Sequence, residues 1–125
     1  MLATILSELN HRSEAILVSS VLSNDGLALA SVASSASSPA IDEDNLGAMS
    51  SALMALGHKT AAELVGDGLG QVLVAGKAGS VLMTQAGPEA ILTVVCKPEA
   101  ESGAILGHMQ RAANDIEALV SARRA

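Results

Sequence analysis

The chain of 125 residues has no Phe, Tyr or Trp. Its core must therefore be built from Leu, Ile, Val, Ala and Met, which bury less surface per side chain than rings do. The same absence removes the platforms on which single-stranded nucleic acid stacks. Positive charge is also short: 7 Lys and Arg stand against 13 Asp and Glu, a formal net charge of −6. A field of that sign does not neutralise phosphates, and no basic cluster is present to meet anionic lipid. The sequence thus predicts no nucleic-acid partner. Cys96 is the one cysteine, so an internal disulfide cannot form, and an unpaired thiol in an apolar segment fits a reducing compartment. No run approaches the ~20 apolar residues of a spanning helix, so membrane insertion is not expected. The opening MLATILSELNHRSE has no basic leader and is interrupted by Glu8, unlike a signal peptide. The expected location is cytoplasmic.

What is present is apolar. Hydrophobic residues make up 50% and charged residues 16%, which excludes a disordered chain. The length predicts one domain over residues 1–125, with enough burial for a core of its own.

Leu2, Ile5, Leu6 and Leu9 fall at helical spacing and predict a helix over residues 2–12. Short segments rich in Ile and Val predict strands at 15–23 and 27–32, joined by Ser23-Asn24-Asp25-Gly26, whose residues tolerate the positive φ of a tight turn. The stretch 34–40, with Pro39, reads as a small polar loop. Asp42 is placed as a helix N-cap, with Glu43 and Asp44 in the first turn, and the helix is expected to reach Val65 before Gly66 stops it. Strands are predicted at 69–75, 80–86 and 90–96, separated by connections so short that antiparallel hairpins are the easy solution. From about Glu99, a stripe of Ile105, Leu106, Met109, Ala112, Ala113, Ile116, Leu119 and Val120 predicts a closing helix. The order is α-β-β-α-β-β-β-α. The fold class is α/β, with a five-stranded antiparallel sheet sandwiched by helices.

Chemistry-bearing patterns fail on inspection. Gly76-Lys77 is followed by Ala78 instead of Ser or Thr, and Gly70 lies one position too far upstream for a phosphate loop. Gly66-Asp67-Gly68-Leu69-Gly70 follows a helix and opens a strand, the reverse of the dinucleotide-binding order. His11, His58 and His108 have no second His or Cys at ligand spacing, so no metal site is predicted. Cys96 has no sequence neighbour that would lower its pKa. No catalytic, cofactor or metal residues are assigned.

The middle helix is the informative element. Leu46, Met49, Leu53, Leu56, Thr60 and Leu64 are expected as its core stripe. On the opposite side Ala48, Ala55 and Ala62 recur every seven residues, with Ser51, Ala52 and His58 beside them. A solvated face is ordinarily rich in Lys and Glu. A ridge of Ala and Ser lets another backbone come close, although Ala is also simply the best helix former.

The hairpin VLSNDGLALAS (21–31), the helix LGAMSSALMALGHKTAAELVG (46–66), the strands QVLVAGKAGSVLMTQAG (71–87) and the closing helix together resemble the roadblock (dynein light chain 7) family, in its prokaryotic stand-alone form. The resemblance covers nearly the whole chain. It implies a fold similar in outline to profilin and longin domains. It implies a homodimer made by joining sheet edges and middle helices, and a role as activator or scaffold for a Ras-like small GTPase. No catalytic residue is carried over, because the GTPase supplies the active site. On that basis the dimer or partner interface is expected at Ala48, Ser51, Ala52, Ala55, His58, Lys59, Ala62, Val72 and Val74, with Met49 and Met54 supplying apolar contact. The chain stops soon after its last helix, without the tail some GTPase-regulating relatives carry, which leaves activator and passive scaffold both open. Two other classes compete: an adaptor joining motor or sensor-kinase proteins without a GTPase and, more distantly, a small ligand-binding enzyme.

Overall fold

Strands two residues in period and helices near 3.6 sort this chain's apolar residues onto two faces of one sheet. The computed structural model describes residues 1–35 and 40–124. Helix α1 spans Leu2–His11, followed by β1 (Ile16–Ser23) and β2 (Ala28–Ala33). Helix α2 spans Glu43–Thr60 and runs into a single π-helical turn, Ala61–Val65. Then come β3 (Gln71–Ala75), β4 (Ser80–Gln85), β5 (Ala90–Cys96) and α3 (Ser102–Arg124). The sheet is antiparallel with strand order β2-β1-β5-β4-β3. Expected fold class and element order both hold. The polar loop expected at 34–40 lies partly outside the described residues, Pro39 included.

Helices α1 and α3 cover one face. Leu2, Leu6 and Leu9 of α1 and Ile105, Met109, Ala113 and Ile116 of α3 meet Ile16, Val21, Leu82, Leu92 and Val94 from the strands. Complete burial of each large side chain is worth roughly 1.5–3 kcal/mol, and this is the larger of the two buried clusters. The closing-helix stripe is confirmed: Leu106, Leu119 and Val120 pack at its margin. Two buried polar residues on this face, Ser19 and Asn10, are paired, while His108 Nδ1 of α3 is buried without a hydrogen-bond partner. Ser19 Oγ donates to Asn10 Oδ1 at 2.7 Å, and Asn10 Nδ2 donates to the Val32 carbonyl at 3.0 Å, stitching α1 to β1 and β2.

Helix α2 covers the other face through a smaller cluster of Leu22, Met54, Met83 and Ile91. Asp42 caps it as expected, accepting from the amides of Asp44 at 3.0 Å and Asn45 at 3.3 Å. Its fully buried stripe is not the expected one, of which Leu53 packs half-buried against the smaller cluster. The residues turned to the sheet are Gly47, Ser50 and Met54, continued by the half-buried Gly57 and Ala61. Each stands one position after an expected core residue (Leu46, Met49, Leu53, Leu56, Thr60), a rotation of about 100° about the helix axis.

The reason is distance. A Cβ on Gly26 would come 2.8 Å from the Gly47 carbonyl oxygen, so the β1–β2 turn and α2 touch backbone to backbone. A Cβ on Gly57 would meet Leu69 and Val72 side chains at 3.0 Å. Ser50 is drawn inward by the buried hydroxyl of Thr93, which donates to it at 3.0 Å. A helix held this close needs small residues beneath it, and the large apolar ones are displaced to its flank.

Candidate interaction surface on the middle helix

The displacement leaves an apolar surface open. Met49 and Leu56 are each 62% exposed, Leu64 81% and Val65 76%. Burying a Leu or Met normally gains roughly 1.5–3 kcal/mol, and here that gain is forgone within the chain. Leu53, Leu56, Thr60 and Val65 line a shallow apolar groove whose other wall is Leu69, Gln71 and Val72, at the entrance to β3. Strand β3 is itself an edge of the sheet, bonded to β4 on one side only. Leu73 and Val74 on that strand are about half exposed. Open edge, groove and leucine flank are contiguous through Val72.

The opposite flank of α2 differs in chemistry. Ser51, Ala55 and His58 look onto the β1–β2 and β4–β5 turns across a pocket of about 370 Å³ floored by Met54, Pro88 and Ile91. Its rim is a hydrogen-bonded chain. Ser51 Oγ donates to the Asn24 carbonyl at 2.6 Å, Gln85 Nε2 to Asn24 Oδ1 at 2.8 Å, and Asn24 Nδ2 to the Pro88 carbonyl at 2.7 Å. His58 Nε2 lies 3.1 Å from Gln85 Oε1. These bonds tie two turns that are distant in sequence to one helix flank.

The residues expected at an interface fall in three places. Ala48, Ala55, Ala62, Ser51 and His58 lie toward the turn-facing flank, Ser51 half-buried and the rest exposed. Ala52 and Lys59 form the solvent-facing crest between the flanks. Val72 is half-buried beneath α2 in the smaller cluster, and Val74 is exposed two residues further along β3. The structure therefore separates the Ala ridge from the β3 edge. The expected set lacks Leu56, Leu64 and Val65; Leu56 and Leu64 were placed in the expected core stripe and Val65 at the helix end. The available signal was the pair of glycines, Gly47 and Gly57, one step round the helix from that stripe.

Other candidates resolve as structure. Gly76 and Gly79 close the β3–β4 hairpin, the Gly76 amide donating to the Gly79 carbonyl at 2.8 Å. Cys96 is buried at the end of β5, and desolvation raises its thiol pKa to about 11 despite a hydrogen bond with Ser80. Among the described residues no group of three or more His, Cys, Asp or Glu is placed to hold a metal ion. No helix among them is long and apolar enough to cross a membrane.

This arrangement has known counterparts. The Roadblock/LC7 domain model matches residues 2–96. The chain belongs to that family. The Roadblock/LC7 match covers both sheet halves and α2 but not α3, so the family pattern contains the whole candidate surface. The uncharacterized protein MJ0310 of Methanocaldococcus jannaschii is 37% identical over 119 residues, which is 95% of this chain and 99% of that protein. The structure of a Roadblock/LC7 domain from Streptomyces avermitilis superposes with a TM-score of 0.82 at 22% identity, covering 94% of this chain and 96% of that one. The gliding protein mglB from Thermus thermophilus gives a TM-score of 0.82 at 20% identity, covering 93% of this chain and 85% of that one. These two likenesses show the fold.

Proposed function

We propose that this roadblock protein is a homodimeric scaffold, without chemistry of its own, that binds a Ras-like small GTPase. One observation carries the self-association: large apolar residues on α2 are exposed beside an unpaired strand edge. In the proposed dimer, β3 meets β3 of a second copy, and the flank of Leu53, Leu56 and Val65 packs on its counterpart. Both contacts are isologous, as a two-fold dimer requires. The flank and edge together offer backbone hydrogen bonds for register and apolar area for affinity. Membership in the roadblock family supports the GTPase as partner, and the Ala48, Ala55 and Ala62 ridge, left free by such a dimer, is the surface proposed to meet it.

Two measurements test the reading. Sedimentation equilibrium on the purified chain should return twice the mass of 12.5 kDa. A Ras-like GTPase from the same genome, loaded with GDP or a non-hydrolysable GTP analogue, should co-elute with the protein in at least one state. A monomer at micromolar concentration defeats the first part, and failure to co-elute in either state defeats the second.

A further inference from the structure

The turn-facing groove on α2 has a chemistry that selects its occupant. Gln85 Nε2 donates both protons internally, to Asn24 Oδ1 at 2.8 Å and to the Ala90 carbonyl at 2.9 Å. Oε1 of Gln85 is thus the atom that faces His58 Nε2 and accepts from it. Ser51 spends its single proton on the Asn24 carbonyl, and Asn24 spends one of its two on Pro88. The rim keeps lone pairs on Ser51 Oγ, Asn24 Oδ1 and Gln85 Oε1, against one spare side-chain proton on Asn24. It accepts and scarcely donates. A carboxylate lies along it: Asp67 lines the shallower continuation of the groove past His58 and Ala62. The floor of Met54, Pro88 and Ile91 is apolar.

A donor-only cation on an apolar stem answers each of these features. The guanidinium of arginine has five N–H donors and no acceptor, and its methylene stem packs on apolar surface. Arg12 and Arg111 of this chain lie together between α1 and α3, on the other face of the sheet, so neither fills the groove from within. We propose that this groove receives an arginine side chain presented on an extended segment of a partner protein. From Ser51 to Ala62 the helix rises roughly 16 Å, the length of about five extended residues. The inference is independent of the dimer reading, because it uses the flank that the β3 edge leaves free; that flank also carries the ridge proposed to meet the GTPase, and the peptide test reads the groove without a GTPase present.

The probe is the peptide acetyl-Leu-Leu-Arg-Leu-Leu-amide, titrated into the ¹⁵N-labelled chain and followed by amide chemical shifts. Shift changes are expected at Ser51, Ala55, His58 and Gln85. The same peptide with Glu in place of Arg should bind at least about tenfold more weakly. Ala55→Arg, at an exposed position, should abolish the shifts, while Leu56→Ala on the other flank should leave them unchanged. The proposal is overturned by an absence of shifts, by equal binding of the Glu peptide, or by shifts that survive Ala55→Arg. Concentration-dependent shifts at these four residues without peptide would assign the groove to a second copy and overturn it as well.

Discussion

Gly47 in α2 and Gly26 in the β1–β2 turn approach so closely that neither has room for a Cβ: one on Gly26 would lie 2.8 Å from the Gly47 carbonyl oxygen, and one on Gly47 closer still to that of Gly26. Gly26 also has a φ of +94°, which an L side chain rarely adopts. This contact sets how deep α2 sits on the sheet, and that depth decides which of its side chains face outward.

Gly47→Ala should therefore destabilise the fold well beyond the small gain in helix propensity. A methyl forced against backbone costs about 1–3 kcal/mol or more in a packed interior. Urea unfolding should show a lowered midpoint with an unchanged slope. A neutral or stabilising result would mean that the helix can lift at little cost.

The buried hydroxyl pair of Thr93 and Ser50 should behave as a unit. Removing one partner strands the other, at about 1–3 kcal/mol, whereas removing both is nearly neutral. Ser50→Ala and Thr93→Val measured singly and together should thus show a coupling of about 1 kcal/mol or more. Simple additivity would remove the bond from the energetics.

Self-association should separate the two flanks of α2. Leu56→Glu and Val74→Glu place a charge in the proposed dimer contact and should yield monomers in sedimentation equilibrium, while Ala55→Arg should remain a dimer. Unfolding free energies extrapolated to the monomer should stay within about 0.5 kcal/mol, because both positions are exposed within one chain. An unaltered dimer in both Glu variants would move the contact elsewhere.

Cys96 links stability to alkaline pH. Burial raises its pKa from 9.0 to about 11, so between those values the unfolded chain has lost a proton that the folded chain keeps. Stability is fully present below about pH 9 and falls as pH rises toward 11. Cys96→Ala should flatten that slope in urea titrations at about pH 8 and about pH 10, and a thiol reagent near neutral pH should label the native protein far more slowly than the unfolded one.

Period and punctuation determined much of this protein by themselves. The Asn24-Asp25-Gly26 turn, the Asp42 cap, the stop at Gly66 and the α3 stripe follow from steric and hydrogen-bonding rules acting within a few residues, so they are legible in one dimension. Absence of aromatics, scattered histidines and a failed phosphate loop likewise needed no coordinates. The facing of α2 was different. Its large apolar residues have helical spacing, and periodicity reads such a stripe as core. Only the packed structure brings Gly26 under Gly47 and Thr93 under Ser50, contacts between residues 21 and 43 positions apart, and these turn the helix about one residue round. Hydrophobicity specifies that a stripe must be covered, while close packing decides whether the cover comes from this chain's own sheet. The groove among Asn24, Ser51, His58 and Gln85 was invisible for the same reason: its parts come from two turns and a helix that meet only in three dimensions.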